Sequence, residues 1–247
     1  MNYLHDRSYI PPLNIHPTTD RHWYRYPHQS AYVYSFNNPV IYNDTDGKDG
    51  KIAMSGNTIT VSATVYLKGI KGINPLSHIS RIKRGINKTF GKTFQYTRDG
   101  QTYDVKFNIT VKAAEKDKNS IRKLSEGENL ITLNNDIKET NGRSYVNRAD
   151  GVTGEWEPTD PEINTYSHEM HHLLGLADQY NKETNKNFDD VQKNDMLGTG
   201  MYNKDAEITQ ESIDAIGNYF FENKDDNNNV ILKAKDMPLR NRDKKEE

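Results

Sequence analysis

The sequence contains no cysteine in its 247 residues. That absence removes a disulfide framework, any zinc–thiolate site and a cysteine nucleophile. It leaves the compartment open, because disulfide-free chains work everywhere. Apolar residues are sparse, at 33% against 28% charged, so a core is within reach but part of the chain must be solvated loop or tail. Charge of one sign is lacking too. The formal net charge of −2 provides no global field toward nucleic acid or an anionic membrane. No apolar run approaches the length of a membrane span, and Met1 is not followed by a basic-then-apolar leader. No internal repeat is found.

What is there falls into three zones. Residues 1–50 are rich in Tyr, His, Pro and Asn and show no sustained period. Residues 51–222 alternate recognisable elements and are expected to form one domain. Residues 223–247, from the Asp- and Asn-rich run to the charged end, read as a flexible solvated tail. In the middle zone, residues 58–67 alternate at period two and are β-branched, which predicts a strand. Ile79, Ile82 and Ile86 follow Asn74-Pro75 at helical spacing. Asp99-Gly100 between two strand-like runs predicts a hairpin. Leu130–Leu133 reads as a short strand, and Tyr145–Trp156 as an irregular edge strand. Helices are expected over 161–174 and 209–221. Strands mixed with helices and a hairpin predict an α+β layered domain.

The helix at 161–174 carries the chemistry. Thr159-Asp160-Pro161-Glu162 is a start signal and Gly175 a stop. On a wheel at about 100° per residue, Ile163, Tyr166, Met170, Leu173 and Leu174 share one broad face. His168 and His172 fall together on roughly the opposite side. Two imidazoles four residues apart stack one turn above the other and can converge on one ion. Glu169, beside the first of them, can reach a metal-bound water without ligating. Zinc lowers the pKa of such water to about 7, and a carboxylate can take its proton and later pass it to a leaving amine. Two His leave the site a ligand short. Asp178 lies six residues beyond His172, past a glycine that can turn the chain back, and a His-His-Asp set leaves the fourth position open. His171, three residues from His168, is an alternative ligand. It would lose the register of the glutamate and the route to Asp178, so it is expected to pack or hydrogen-bond beside the site. His5, His16, His22 and His28 show no ligand spacing.

His168, Glu169, His172, Gly175 and Asp178 together resemble the extended motif of the metzincin metallopeptidases. In its aspartate form the motif is similar to that of the snapalysin group, whose Asp-x-Tyr is matched by Asp178-Gln179-Tyr180. The resemblance implies a methionine turn beneath the metal. Met196, in Asn194-Asp195-Met196-Leu197-Gly198, is the first candidate for it, and Gly200-Met201-Tyr202 the second. It also implies a metzincin-like twisted mixed sheet, an edge strand that takes substrate in extended form, the site helix and a C-terminal helix. Tyr180 and Tyr202 are candidates for stabilising an oxyanion.

A second resemblance lies upstream. Tyr26 to Val40, with Tyr32-Val33-Tyr34 and Asn37-Asn38-Pro39, followed by Asp44-Thr45-Asp46-Gly47, is similar to the end of the Rhs/YD-repeat-associated core, which hands over to variable toxin domains. Thr45 stands where that core usually has proline. Together these resemblances imply a zinc endopeptidase acting on protein or peptide, with no nucleic-acid partner. It would be secreted or delivered as part of a larger bacterial effector and be met by a cognate immunity protein. Two rivals are weighed: a thermolysin-like site in which Glu207 or Glu211 replaces Asp178, and a non-catalytic zinc-stabilised binding module.

Overall fold

The structure, a computed structural model, describes residues 2–4, 7–9, 50–70, 72–115, 117–138, 140, 142–147, 151–162, 164–181, 186–187, 193–198 and 203–232. The chain divides into two units, Met1–Thr45 and Asp46–Glu247. In the first, strands β1 (Asn2–Leu4) and β2 (Arg7–Tyr9) pair antiparallel. Three residues apiece are too few to register as a period. The Rhs-like stretch from Tyr26 to Gly47 lies outside the described residues.

In the second unit, β3 (Gly50–Ser55) and β4 (Thr58–Gly69) form a hairpin around Gly56-Asn57. Gly56 sits at φ 56°, a left-handed conformation that glycine adopts without steric cost. β4 is the axis of the sheet. Its inward residues Ile59, Val61, Ala63, Val65 and Leu67 are all buried, while the alternate positions stay partly exposed. That is the two-residue period made physical. Helix α1 (Ile79–Phe90) follows and buries Ile82, Ile86 and Phe90. β5 (Thr93–Arg98) and β6 (Gln101–Ala113) then form the hairpin expected from Asp99-Gly100. Both turn residues have positive φ, 52° and 77°, which matches the strand twist. β7 (Glu128–Leu133), β8 (Tyr145–Val146) and β9 (Thr153–Trp156) precede α2 (Asn164–Leu173). The short pair β10 (Tyr180–Asn181) and β11 (Lys186–Asn187), helix α3 (Gln210–Asn223) and β12 (Asn229–Leu232) complete the elements.

The result is an α+β fold with a mixed eight-stranded sheet. β4 runs parallel to β6 and β7 and antiparallel to β3, β9 runs parallel to β7, and β8 closes antiparallel on β9. Residues of all three helices join the inward face of β4 in one apolar core. Each fully buried Ile, Leu or Phe there contributes about 1.5–3 kcal/mol relative to exposure. α2 rests on α1: the Ser167 hydroxyl donates to the Gly85 carbonyl at 2.6 Å, and the His171 ring lies 4.6 Å from that of Phe90. No helix among the described residues is long and apolar enough to cross a membrane.

Three expected boundaries move. The site helix begins at Asn164 and not at 161, because the Asp160 carboxylate caps the Glu162 amide at 2.8 Å in a local turn ahead of it. Part of the stretch expected as a tail from residue 223 is a strand. β12 pairs with β3 and buries Leu232 completely, since the Asn-rich run is only the turn that brings a short apolar strand back to the sheet. The sheet also begins one residue before the expected boundary at 51, with Gly50 paired to Leu232. Residues 233–247 lie outside the described residues.

Candidate metal centre

The C-terminal end of α2 is built by its glycine. Gly175 takes φ 84°. Its amide donates to the His172 carbonyl at 2.9 Å, and the Leu176 amide donates to the His171 carbonyl at 3.0 Å. This pair of reversed bonds is the αL helix stop that glycine permits. The chain then doubles back, and two things happen within three residues. The Leu176 carbonyl accepts from His172 Nδ1 at 2.8 Å. The Asp178 carboxylate comes to face both ligand imidazoles.

The convergence is tight. His168 Nε2 and His172 Nε2 lie 3.1 Å apart, and Asp178 Oδ1 is 3.3 Å from the first and 3.1 Å from the second. A small divalent ion bound tetrahedrally at about 2.0–2.1 Å spaces its ligand atoms by about 3.3–3.4 Å, so this triangle fits such an ion closely. Among the described residues His168, His172 and Asp178 form the one group of three or more that could hold a metal ion. The imidazoles are also in the right form. His168 Nδ1 donates to the Met196 carbonyl at 2.7 Å, as His172 Nδ1 does to that of Leu176. With each Nδ1 committed as a donor, the neutral form of each ring leaves the Nε2 lone pair for the shared centre.

The electrostatics show what happens without an ion. Burial works to lower the pKa of His172, but its hydrogen bond to Asp178 and the carboxylate charge outweigh it and hold the imidazole up at about 9. Burial works to raise Asp178, and the His168 and His172 imidazoles beside its Oδ1 overcome that, leaving the carboxyl far below its ordinary range.

Glu169 is 5% exposed. Burial raises its pKa, opposed by the charges of His168 and His172 and by a hydrogen bond from the Val146 backbone amide of β8. Its Oε2 is buried without a hydrogen-bond partner. A carboxylate beside a polar cluster with one oxygen unengaged is available to move a proton.

Met196 lies in a fully buried turn below His168. The Met196 amide donates to the Glu207 carbonyl at 2.9 Å, and the buried Asp195 carboxylate accepts from the Leu197 amide at 2.8 Å. The Gln179 amide donates to the Leu197 carbonyl at 2.8 Å. One turn therefore braces His168 on the helix and the segment that carries Asp178. Tyr180 is half-buried in β10. Tyr202, with Gly200 and Met201, lies outside the described residues, as does Ile163.

His171 points elsewhere. It is fully buried, its Nδ1 donates to the Ser167 carbonyl at 2.7 Å, and burial lowers its pKa to about 3, so it is a neutral ring packed on Phe90. Glu207 is exposed, and its carboxylate accepts from Asn194 Nδ2 at 2.8 Å. Sequence reasoning missed the Met196 and Leu176 carbonyls and the Val146 amide. All three act through the backbone, which leaves no mark in residue type.

No protein-family model matches the chain, and no curated protein matches it.

Proposed function

We propose that this chain is a zinc-dependent endopeptidase of metzincin type. One observation carries the reading: two tautomer-fixed imidazoles and a carboxylate converge at 3.1–3.3 Å, beside a buried glutamate with an unengaged oxygen. A His-His-Asp donor set with no sulfur suits zinc, with a fourth position left for water. Zinc, when bound, supplies Lewis acidity and brings the pKa of water to about 7. Glu169 takes the proton at its carboxylate and returns it to the leaving amine, and burial makes that carboxylate a stronger base than an exposed one.

β8 stands last in the sheet order, within hydrogen-bond reach of Glu169. A role as the toxin domain of a larger delivered effector, opposed by an immunity protein, is supported by the Rhs-like stretch from Tyr26 to Gly47.

Elemental analysis of purified variants tests the ligand set. His168→Ala, His172→Ala and Asp178→Ala should each lose the single zinc, while Glu207→Ala and Glu211→Ala keep it. Zinc retained by Asp178→Ala and lost from a glutamate variant would hand the site to the thermolysin-like alternative.

A further inference from the structure

Near-neutral net charge conceals a strong segregation. Between Asp49 and Asp99 the chain carries nine of its 33 Lys and Arg and none of its 35 Asp and Glu. The structure gathers several of these cations on one helix face. α1 buries Ile82, Gly85, Ile86, Thr89 and Phe90 and turns Ser80, Lys83, Arg84, Asn87 and Lys88 to solvent. Lys83, Arg84 and Lys92 are exposed, and among the described residues none of the three has an ion-pair partner.

In the turn just before α1 stands Leu76, 67% exposed and the one exposed large hydrophobic among the described residues of the second unit. Its position is built. Pro75 opens a 3-10 turn, and the Asn74 carboxamide accepts from the Leu76 amide at 3.1 Å. The turn runs directly into α1, since the His78 carbonyl accepts the first helical bond from Ile82. Half-buried Ile73 and Ile79 flank it. Seven and eight residues further on, at about 1.5–2.0 Å of rise each, Lys83 and Arg84 lie roughly 10–16 Å from Leu76.

We propose that the Leu76 turn and the exposed face of α1 form a docking surface for an anionic lipid bilayer. Cations beside a projecting aliphatic tip match such a surface twice over: the charges meet the headgroups, and the leucine enters the acyl boundary. A nucleic acid partner would leave Leu76 without a role, and no exposed aromatic among the described residues of the second unit offers a base a stacking platform. A purely acidic protein partner would account for the charges and not for the leucine. The surface is separate from the metal cluster and stands or falls independently of it.

Co-sedimentation of the full chain tests this, using phosphatidylcholine vesicles with and without phosphatidylglycerol. The expected result is binding only to the vesicles that contain phosphatidylglycerol, weakening as salt rises. Lys83→Gln combined with Arg84→Gln should weaken it about 25-fold, at roughly one factor of five per basic residue near the surface. Leu76→Ser should weaken it about fivefold. All three side chains are exposed, so the variants should keep the wild-type circular dichroism, and the leucine arm does not depend on charge. No binding to the anionic vesicles, or binding indifferent to both variants, would overturn the proposal. So would tighter binding to duplex DNA or polyglutamate that is lost in the Lys83/Arg84 variant and kept in Leu76→Ser.

Discussion

His168 donates from Nδ1 to the carbonyl of Met196 at 2.7 Å, across 28 positions of chain. That bond fixes the imidazole tautomer and ties the site helix to a buried turn. The bond is made by the backbone, and the Met196 side chain itself is fully buried. Met196→Ala should therefore cost about 2–5 kcal/mol of stability through the cavity it leaves. It should also weaken metal binding by about tenfold, as relaxation of the turn around that cavity shifts the carbonyl that holds His168. Met196→Leu conserves volume and should cost less than about 1.5 kcal/mol. Denaturant titration with and without metal checks both.

The charge state of His172 yields a second prediction. Its pKa stands at about 9, above the ordinary 6.5, so the metal-free cluster holds a proton at neutral pH. A raised folded-state pKa gives stability that is fully present below about 6.5 and lost as pH climbs through about 9. The metal-free protein should therefore lose stability across that window. Metal binding at pH 7 should release about one proton and tighten as pH rises toward 9. Calorimetry in buffers of different ionisation enthalpy counts the proton. No release at pH 7 would mean that Asp178 does not hold His172 charged.

Much of this was readable from residue order. The alternation of Thr58–Leu67, the Asp99-Gly100 turn and the Ile79, Ile82, Ile86 spacing each specify an element through local geometry, and the structure contains all three. The convergence of His168, His172 and Asp178 was legible for the same reason, since helical spacing and one glycine determine it. Asn229–Leu232 was not. Four residues after an Asn-rich turn resemble tail, and only pairing with β3 makes them a strand. The basic face of α1 was hidden by averaging over the whole chain.

That misread strand supplies a third prediction. Ending the chain at Asn223 removes β12, whose Leu232 is fully buried and packs near Gly50 and Leu174, directly after the site helix. The shortened protein should lose about 2–5 kcal/mol of stability, the range for emptying a large aliphatic site. Thermal unfolding measures it. An unchanged transition would return the segment to the status of a tail.

The central claim is that Glu169 moves protons for a metal held by its neighbours, and Glu169→Gln isolates it. The variant keeps the shape of the side chain and leaves His168, His172 and Asp178 untouched. Zinc content and hydrolysis of an unfolded protein substrate should be measured on the same preparation, beside the wild type. The expected result is full zinc occupancy with turnover reduced by at least about 100-fold, the low end for loss of a general base. Full zinc occupancy with unchanged turnover would contradict the account.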